Sequence, residues 1–278
     1  MPETWSVASF DECYELRPTE RDGRFRCTFS RQLLAPPGHL QGGAGLGLAI
    51  AAMERASGRP IAWATAQYLR FLMGRVELEI SVTLEVEGHQ TTQARAVIRE
   101  ASSGDEILMV LGVLGRRTTA LDGHWLQMPD VPRPLDCPVY DVFADRPGHV
   151  GGVLDVRRAS GRQGLEVLGE PGAADSAMWV RFARGNHEHT PGELTFVGDL
   201  LPVGFNEPYG SLYAGSSIDN TLRFGPRSRG EWVLLDCRME QTANGFGYGR
   251  GHLWSERGEL LGTASQTMVM RMKDAWSW

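Results

Sequence analysis

Lysine is almost missing from this 278-residue chain: Lys273 is the only one, although lysine and arginine together number 28. The positive charge is scattered arginine with no dense basic run, and 34 acidic residues outweigh it to a net −6. That balance gives no generic footing for nucleic-acid binding. Arginine's planar fork suits phosphate recognition, so single arginines could serve an anionic cofactor tail; the codon preference of a GC-rich genome is the plainer account. Cysteine is scarce too. Cys13, Cys27, Cys137 and Cys237 are far apart with no C-x-x-C spacing, which argues against a zinc site or a disulfide framework and for buried free thiols. No run of about 18 apolar residues occurs, so no membrane span is expected. The start, Met1-Pro2-Glu3-Thr4-Trp5, has neither a basic nor an apolar leader region, and a cytoplasmic protein is the expectation. Low-complexity sequence is absent, and 42% hydrophobic with 22% charged residues is ordinary for a soluble folded protein.

What the chain does have is a repetition. Leu69-Arg70-Phe71 returns as Leu222-Arg223-Phe224, and Glu106-Ile107-Leu108 returns as Glu259-Leu260-Leu261, both 153 residues later. At the same offset Ile80, Val82, Leu84 and Val86 fall opposite Val233, Leu235, Cys237 and Met239. The sequence reads as a duplicated domain: a first copy over 1–116, a proline-rich linker over 117–148 and a second copy over 149–278.

Each copy follows one plan. In the first, segments around 12–15 and 23–30 read as a β-hairpin turning at Glu20-Arg21-Asp22-Gly23. The small, apolar run from Ala44 to Arg55 ends at Ser57-Gly58-Arg59-Pro60 and reads as a buried helix. Strands are expected over 61–71, 76–86, 92–100 and 107–114, with a period of two clearest from Val76 to Val86. In the second, strands are expected over 153–156, 165–168, 178–182, 211–224, 232–240, 247–254 and 260–271, and a helix over 191–201. The fold class is α+β, each copy an antiparallel sheet wrapped around a central apolar helix.

Comparing the copies singles out chemistry. At the 153-residue offset Asp199 stands opposite Leu46, Ser217 opposite Ala64, Asp219 opposite Ala66 and Gln266 opposite Val113. Asp199, among apolar neighbours and placed by the expected helix near a positive dipole end, would be held ionised and could act as a general base for water. A helix-end aspartate satisfied by backbone N–H groups is an equal alternative. Gln266 and Ser217 could orient that water, although a serine on a solvated strand face is the plainer reading of Ser217 alone. Gly42 and Gly43, opening the first helix, offer N–H groups that could polarise a substrate carbonyl, or they serve only a tight turn. His187-Glu188-His189 lacks a third ligand in sequence, so no metal is assigned. The glycine-rich Asn244 to Gly251 precedes no helix, and a strand crossover fits it better than a phosphate loop.

These residues resemble the acyl-CoA thioesterase II type, with two fused hotdog domains. The resemblance is carried by Gly42-Gly43 before the apolar helix, Ser216-Ser217-Ile218-Asp219-Asn220 before Leu222-Arg223-Phe224, Glu231-Trp232-Val233-Leu234-Leu235, and Gly258-Glu259-Leu260-Leu261 through Gln266. It spans nearly the whole chain and is strongest in the second half. It implies an acyl-CoA substrate hydrolysed by an activated water, a role in lipid metabolism and no cofactor, with Asp199, Ser217 and Gln266 holding the water. The chain departs from the family's pattern at Ala64-Thr65-Ala66-Gln67-Tyr68, where histidines are usual, and at Ala44, where glutamine is frequent. A non-catalytic acyl-CoA or lipid-binding protein is therefore the alternative, and an enoyl-CoA hydratase-type enzyme a more distant one. A homo-oligomer is compatible with either.

Overall fold

The computed structural model describes residues 9–35, 38–117, 119, 121, 123–140, 154–162, 164–182, 186–211 and 213–272. Thirteen strands form one antiparallel sheet. From the first half come β1 (Tyr14–Pro18), β2 (Arg24–Phe29), β3 (Ile61–Tyr68), β4 (Leu78–Glu87), β5 (Thr91–Glu100) and β6 (Glu106–Gly115). The second half supplies β7 (Asp155–Ser160), β8 (Asp175–Arg181), β9 (Tyr213–Ser217), β10 (Asp219–Phe224), β11 (Val233–Ala243), β12 (Phe246–Ser255) and β13 (Leu260–Met272). Their order, β1-β2-β4-β5-β6-β3-β10-β13-β12-β11-β8-β7 with β9 also on β13, is the same read from either end once each strand is replaced by its counterpart. The duplication is thus built into the sheet, and the halves meet where β3 pairs with β10. At that seam the hydroxyls of Thr65 and Thr221 lie 2.6 Å apart.

Two helices run beneath the sheet. Helix α1 (Gly42–Ser57) is buried at every position from Gly43 to Ile50, which is why it lacks a polar face. It starts on Gln41, whose side chain accepts from the Ala44 N–H, and it stops at Gly58 in the left-handed conformation. Helix α2 (Pro191–Gly198) starts on Thr190, whose side chain accepts from the Glu193 N–H. The helices touch through glycine. A Cβ on Gly43 would lie 2.2 Å from the Thr195 carbonyl oxygen, and one on Gly47 3.0 Å from the Gly192 Cα. Larger residues would hold the two backbones apart.

Several expectations need correction. The helix expected over 191–201 ends at Gly198 and gives way to a 3-10 turn, Leu201–Phe205; Pro202 has no N–H to bond back to Gly198. Residues Gly164–Val167 form a 3-10 turn instead of a strand, bracketed by Gly161 and Gly169 at positive φ. The strand expected over 211–224 breaks at Ile218, where the Asp219 carboxylate accepts from the Thr267 N–H at 2.7 Å. Val153 lies outside the described residues. Asn244 and Gly245 both have positive φ and close the β11–β12 hairpin, so the glycine-rich segment is a tight turn and a strand and not the strand crossover expected.

The uniform 153-residue offset is also replaced by local ones. The helix caps Gln41 and Thr190 differ by 149, the seam threonines by 156, and the turn glycines Gly104 and Gly258 by 154. Strand register supports the last value, since Thr65 pairs with Leu111 and Thr221 with Ser265. By these offsets Asp199 is the counterpart of Ile50, Ser217 of Ile61, Asn220 of Ala64 and Gln266 of Gly112.

Candidate active site

Asp199 is the C-terminal cap of α2, not a residue of its first turn. Its own helix therefore turns its negative end toward the carboxylate. The positive end comes from the other half of the chain: the Gly43 and Gly42 N–H groups at the start of α1 bond to the carboxylate. The close glycine crossing is what brings this helix end within reach. Gln266 Nε2 donates to Asp199 Oδ1 at 2.7 Å and Asn220 Nδ2 donates to the same oxygen at 3.3 Å. Burial pushes the Asp199 pKa up to about 6, against the pull of the Gly43 N–H, Gln266, Asn220 and the Gly42 N–H. Desolvation outweighs these donors although the residue is only partly buried and reaches a cavity.

The Gln266 amide also donates to Ser217 Oγ at 2.7 Å, so one NH2 group ties strand β13 to the end of α2 and to β9. Asp199, Ser217 and Gln266 are thus brought together. Asn220 does not stand out between the copies, because the 153-residue offset sets it against the polar Gln67. The seam offset sets it against Ala64, and that signal would have found it. Asp219, flagged by the same comparison, is spent on the strand break instead. No sequence pattern singles out Tyr68. It is half-buried with its hydroxyl shielded from solvent, the hydroxyl 3.0 Å from where a Cβ on Gly42 would sit, a point 3.2 Å from Asp199 Oδ2.

A cavity of about 460 Å³ opens on this group, lined by Asp199, Ser217, Tyr68 and Gly42 together with apolar residues including Leu40, Leu72, Leu108, Leu200 and Val203. Both halves contribute. Three buried polar atoms at this place, Tyr68 Oη, Gln266 Oε1 and Asn220 Oδ1, have no hydrogen-bond partner among the described residues. A carboxylate with a raised pKa beside orphaned acceptors, in the wall of an apolar cavity, is an arrangement that can hold a water and take its proton.

His187 and His189 lie at the other end of α2, where one ring nitrogen of each, His187 Nε2 and His189 Nδ1, meets the Glu193 carboxylate, at 2.9 and 3.3 Å. Burial alone would raise the Glu193 pKa, but these two hydrogen bonds outweigh it and hold the group below its usual range. The three side chains bring ligand-type atoms within 4.8 Å of one another, and the carboxylate is already paired on both oxygens. All four cysteines are free and buried. Among the described residues no helix is long and apolar enough to cross a membrane.

A central helix wrapped by an antiparallel sheet, present twice and joined edge to edge, defines a double hotdog protein. Residues 134–270 match the family profile described as the acyl-CoA thioesterase C-terminal domain, and the resemblance to the acyl-CoA thioesterase II type holds. Many solved structures share the fold, among them the following three. One, a candidate thioesterase from Novosphingobium aromaticivorans, is 27% identical over 92% of this chain and 98% of its own, with a TM-score of 0.80. A hot dog fold protein from Alicyclobacillus acidocaldarius is 18% identical over 96% and 99%, with a TM-score of 0.77. Acyl-CoA thioesterase II TesB2 from Mycobacterium marinum is 16% identical over 97% and 99%, with a TM-score of 0.73. A comparison with curated protein sequences finds no match.

Proposed function

We propose that this protein hydrolyses acyl-CoA thioesters in the cytoplasm, by direct attack of a water held by Asp199, Gln266 and Ser217. The family match supports thioester hydrolysis in general. The observation that carries the finer reading is the Asp199 carboxylate, raised toward neutrality and open to an apolar cavity. In this reading the acyl chain occupies the cavity and the thioester carbonyl stops beside Asp199. Water's oxygen bonds to the carbonyl carbon while its proton passes to Asp199. Collapse of the tetrahedral intermediate breaks the C–S bond, and the thiolate recovers the proton from Asp199. The products are an acid and free CoA; no side chain is acylated and no cofactor is needed. Gly42 and Gly43 act here chiefly on the base: their N–H groups keep a buried carboxylate from being protonated altogether.

The test is thiol release from acyl-CoAs of increasing chain length by the wild type and by Asp199→Asn. Loss of the base is expected to cost about 10²–10⁴ in rate. Equal rates for the two proteins would discard the mechanism. Tight acyl-CoA binding with no thiol released would leave a binding protein in its place.

A further inference from the structure

The mechanism above lacks one part: a donor for the negative charge that builds on the carbonyl oxygen. The main-chain N–H groups of Gly42 and Gly43, the obvious choice from sequence, are committed to Asp199. Gln41, next along the cavity wall, uses its side chain to cap α1 and to bond the Phe196 carbonyl. Arg70 is paired with Asp105 at 3.2 Å. Two of the three orphaned atoms, Gln266 Oε1 and Asn220 Oδ1, are acceptors and would repel an oxyanion; they suit the protons of the attacking water. The third is different in kind. Tyr68 belongs to the cavity wall, and its Oη carries a proton, is buried and, with the Asn220 side chain beside it, finds no acceptor for that proton among the described residues. A buried hydroxyl left unpaired costs roughly 1–3 kcal/mol, so it calls for a partner that is absent from the protein itself.

We propose that the Tyr68 hydroxyl donates the hydrogen bond that polarises the thioester carbonyl and stabilises the tetrahedral oxyanion. This rests on the thioesterase reading. Tyr68 and Asp199 flank the same point at the start of α1, so a carbonyl carbon presented to water at Asp199 has its oxygen within the tyrosine's reach. The donor is also dependable. Burial, reinforced by the charge of Asp199 and opposed by the Asn220 side chain, pushes the phenol well above its ordinary range, so it keeps its proton around neutral pH.

Tyr68→Phe keeps the ring and removes only the hydroxyl. On the acyl-CoA that the wild type turns over best, kcat should fall about 10²–10³-fold, the effect of deleting one oxyanion donor. KM should stay within about twofold, because the bond strengthens only as charge develops. The pH at which the rate rises should not move, and Tm should hold or increase, since an unpaired buried group has been removed. A kcat within threefold of wild type, while Asp199→Asn is inactive, overturns this role and leaves the thioesterase standing. A loss of rate accompanied by a lower Tm, or by a displaced pH limb, makes Tyr68 a structural or positioning group and overturns it as well. A wild type that releases no thiol from any acyl-CoA removes the proposal together with the function it serves.

Discussion

A carboxylate with a pKa near 6 works as a base only once it has lost its proton, so kcat/KM should climb with pH through about 6 and level off above 7. Steady-state rates between pH 4.5 and 8.5 measure this; a limb near pH 4 would mean that Asp199 is less desolvated than its surroundings suggest. The same shift has a cost in stability. A folded-state pKa above the unfolded one favours folding at low pH, and that advantage is lost as pH rises from about 4 through 6. Asp199→Asn does not titrate, so its Tm relative to wild type should increase across that interval, by the equivalent of at most about 3 kcal/mol. Parallel Tm curves for the two proteins would contradict the shift. Single residues were readable from sequence where a polar side chain replaced an apolar one between copies, as at Asp199 and Gln266. Asn220 escaped because its misplaced counterpart was polar. Tyr68 escaped because its role depends on what fails to bond to it, which no sequence displays.

Helices and strands were legible because their periods are strong. The alternation in β4 and the unbroken apolar run of α1 each exclude other readings. What sequence could not convey is which helix end meets which group. Asp199 was expected to profit from its own helix and instead draws on α1, because the crossing is fixed by Gly43 and Gly47, residues with no side chain to betray a contact. Gly43→Ala tests that crossing. Its Cβ would press on the Thr195 carbonyl oxygen and on the Asp199 Cβ, 2.7 Å away, and backbone cannot step aside. The expected penalty is at or above the usual 1–3 kcal/mol for overpacking, a fall in Tm of about 3–10 °C in a chain this size. Activity should drop further than stability accounts for, since the N–H groups on Asp199 move too. Unchanged Tm and rate would show the helices to be less tightly engaged.

At the scale of the molecule the halves share one sheet through β3 and β10, so heating should give a single calorimetric transition; two resolved transitions would mean that the copies unfold separately. The duplication was visible in sequence, but its axis was not, because turns of different length shift the offset from 149 to 156 along the chain. A symmetric arrangement of two helices creates two junctions, one where α2 ends against the start of α1 and one where the start of α2 meets the body of α1. At the second, the counterparts of Asp199, Ser217 and Gln266 are Ile50, Ile61 and Gly112. Calorimetric titration with a non-hydrolysable thioether analogue of acyl-CoA should therefore saturate at one molecule per chain, and two would refute the asymmetry. Fusion makes this possible. Were the two halves identical subunits, any substitution would be written into both junctions at once, and an awkward buried carboxylate would have to be endured twice. Joined in one chain, they can drift apart, one junction keeping the reactive group while the other is released from carrying it.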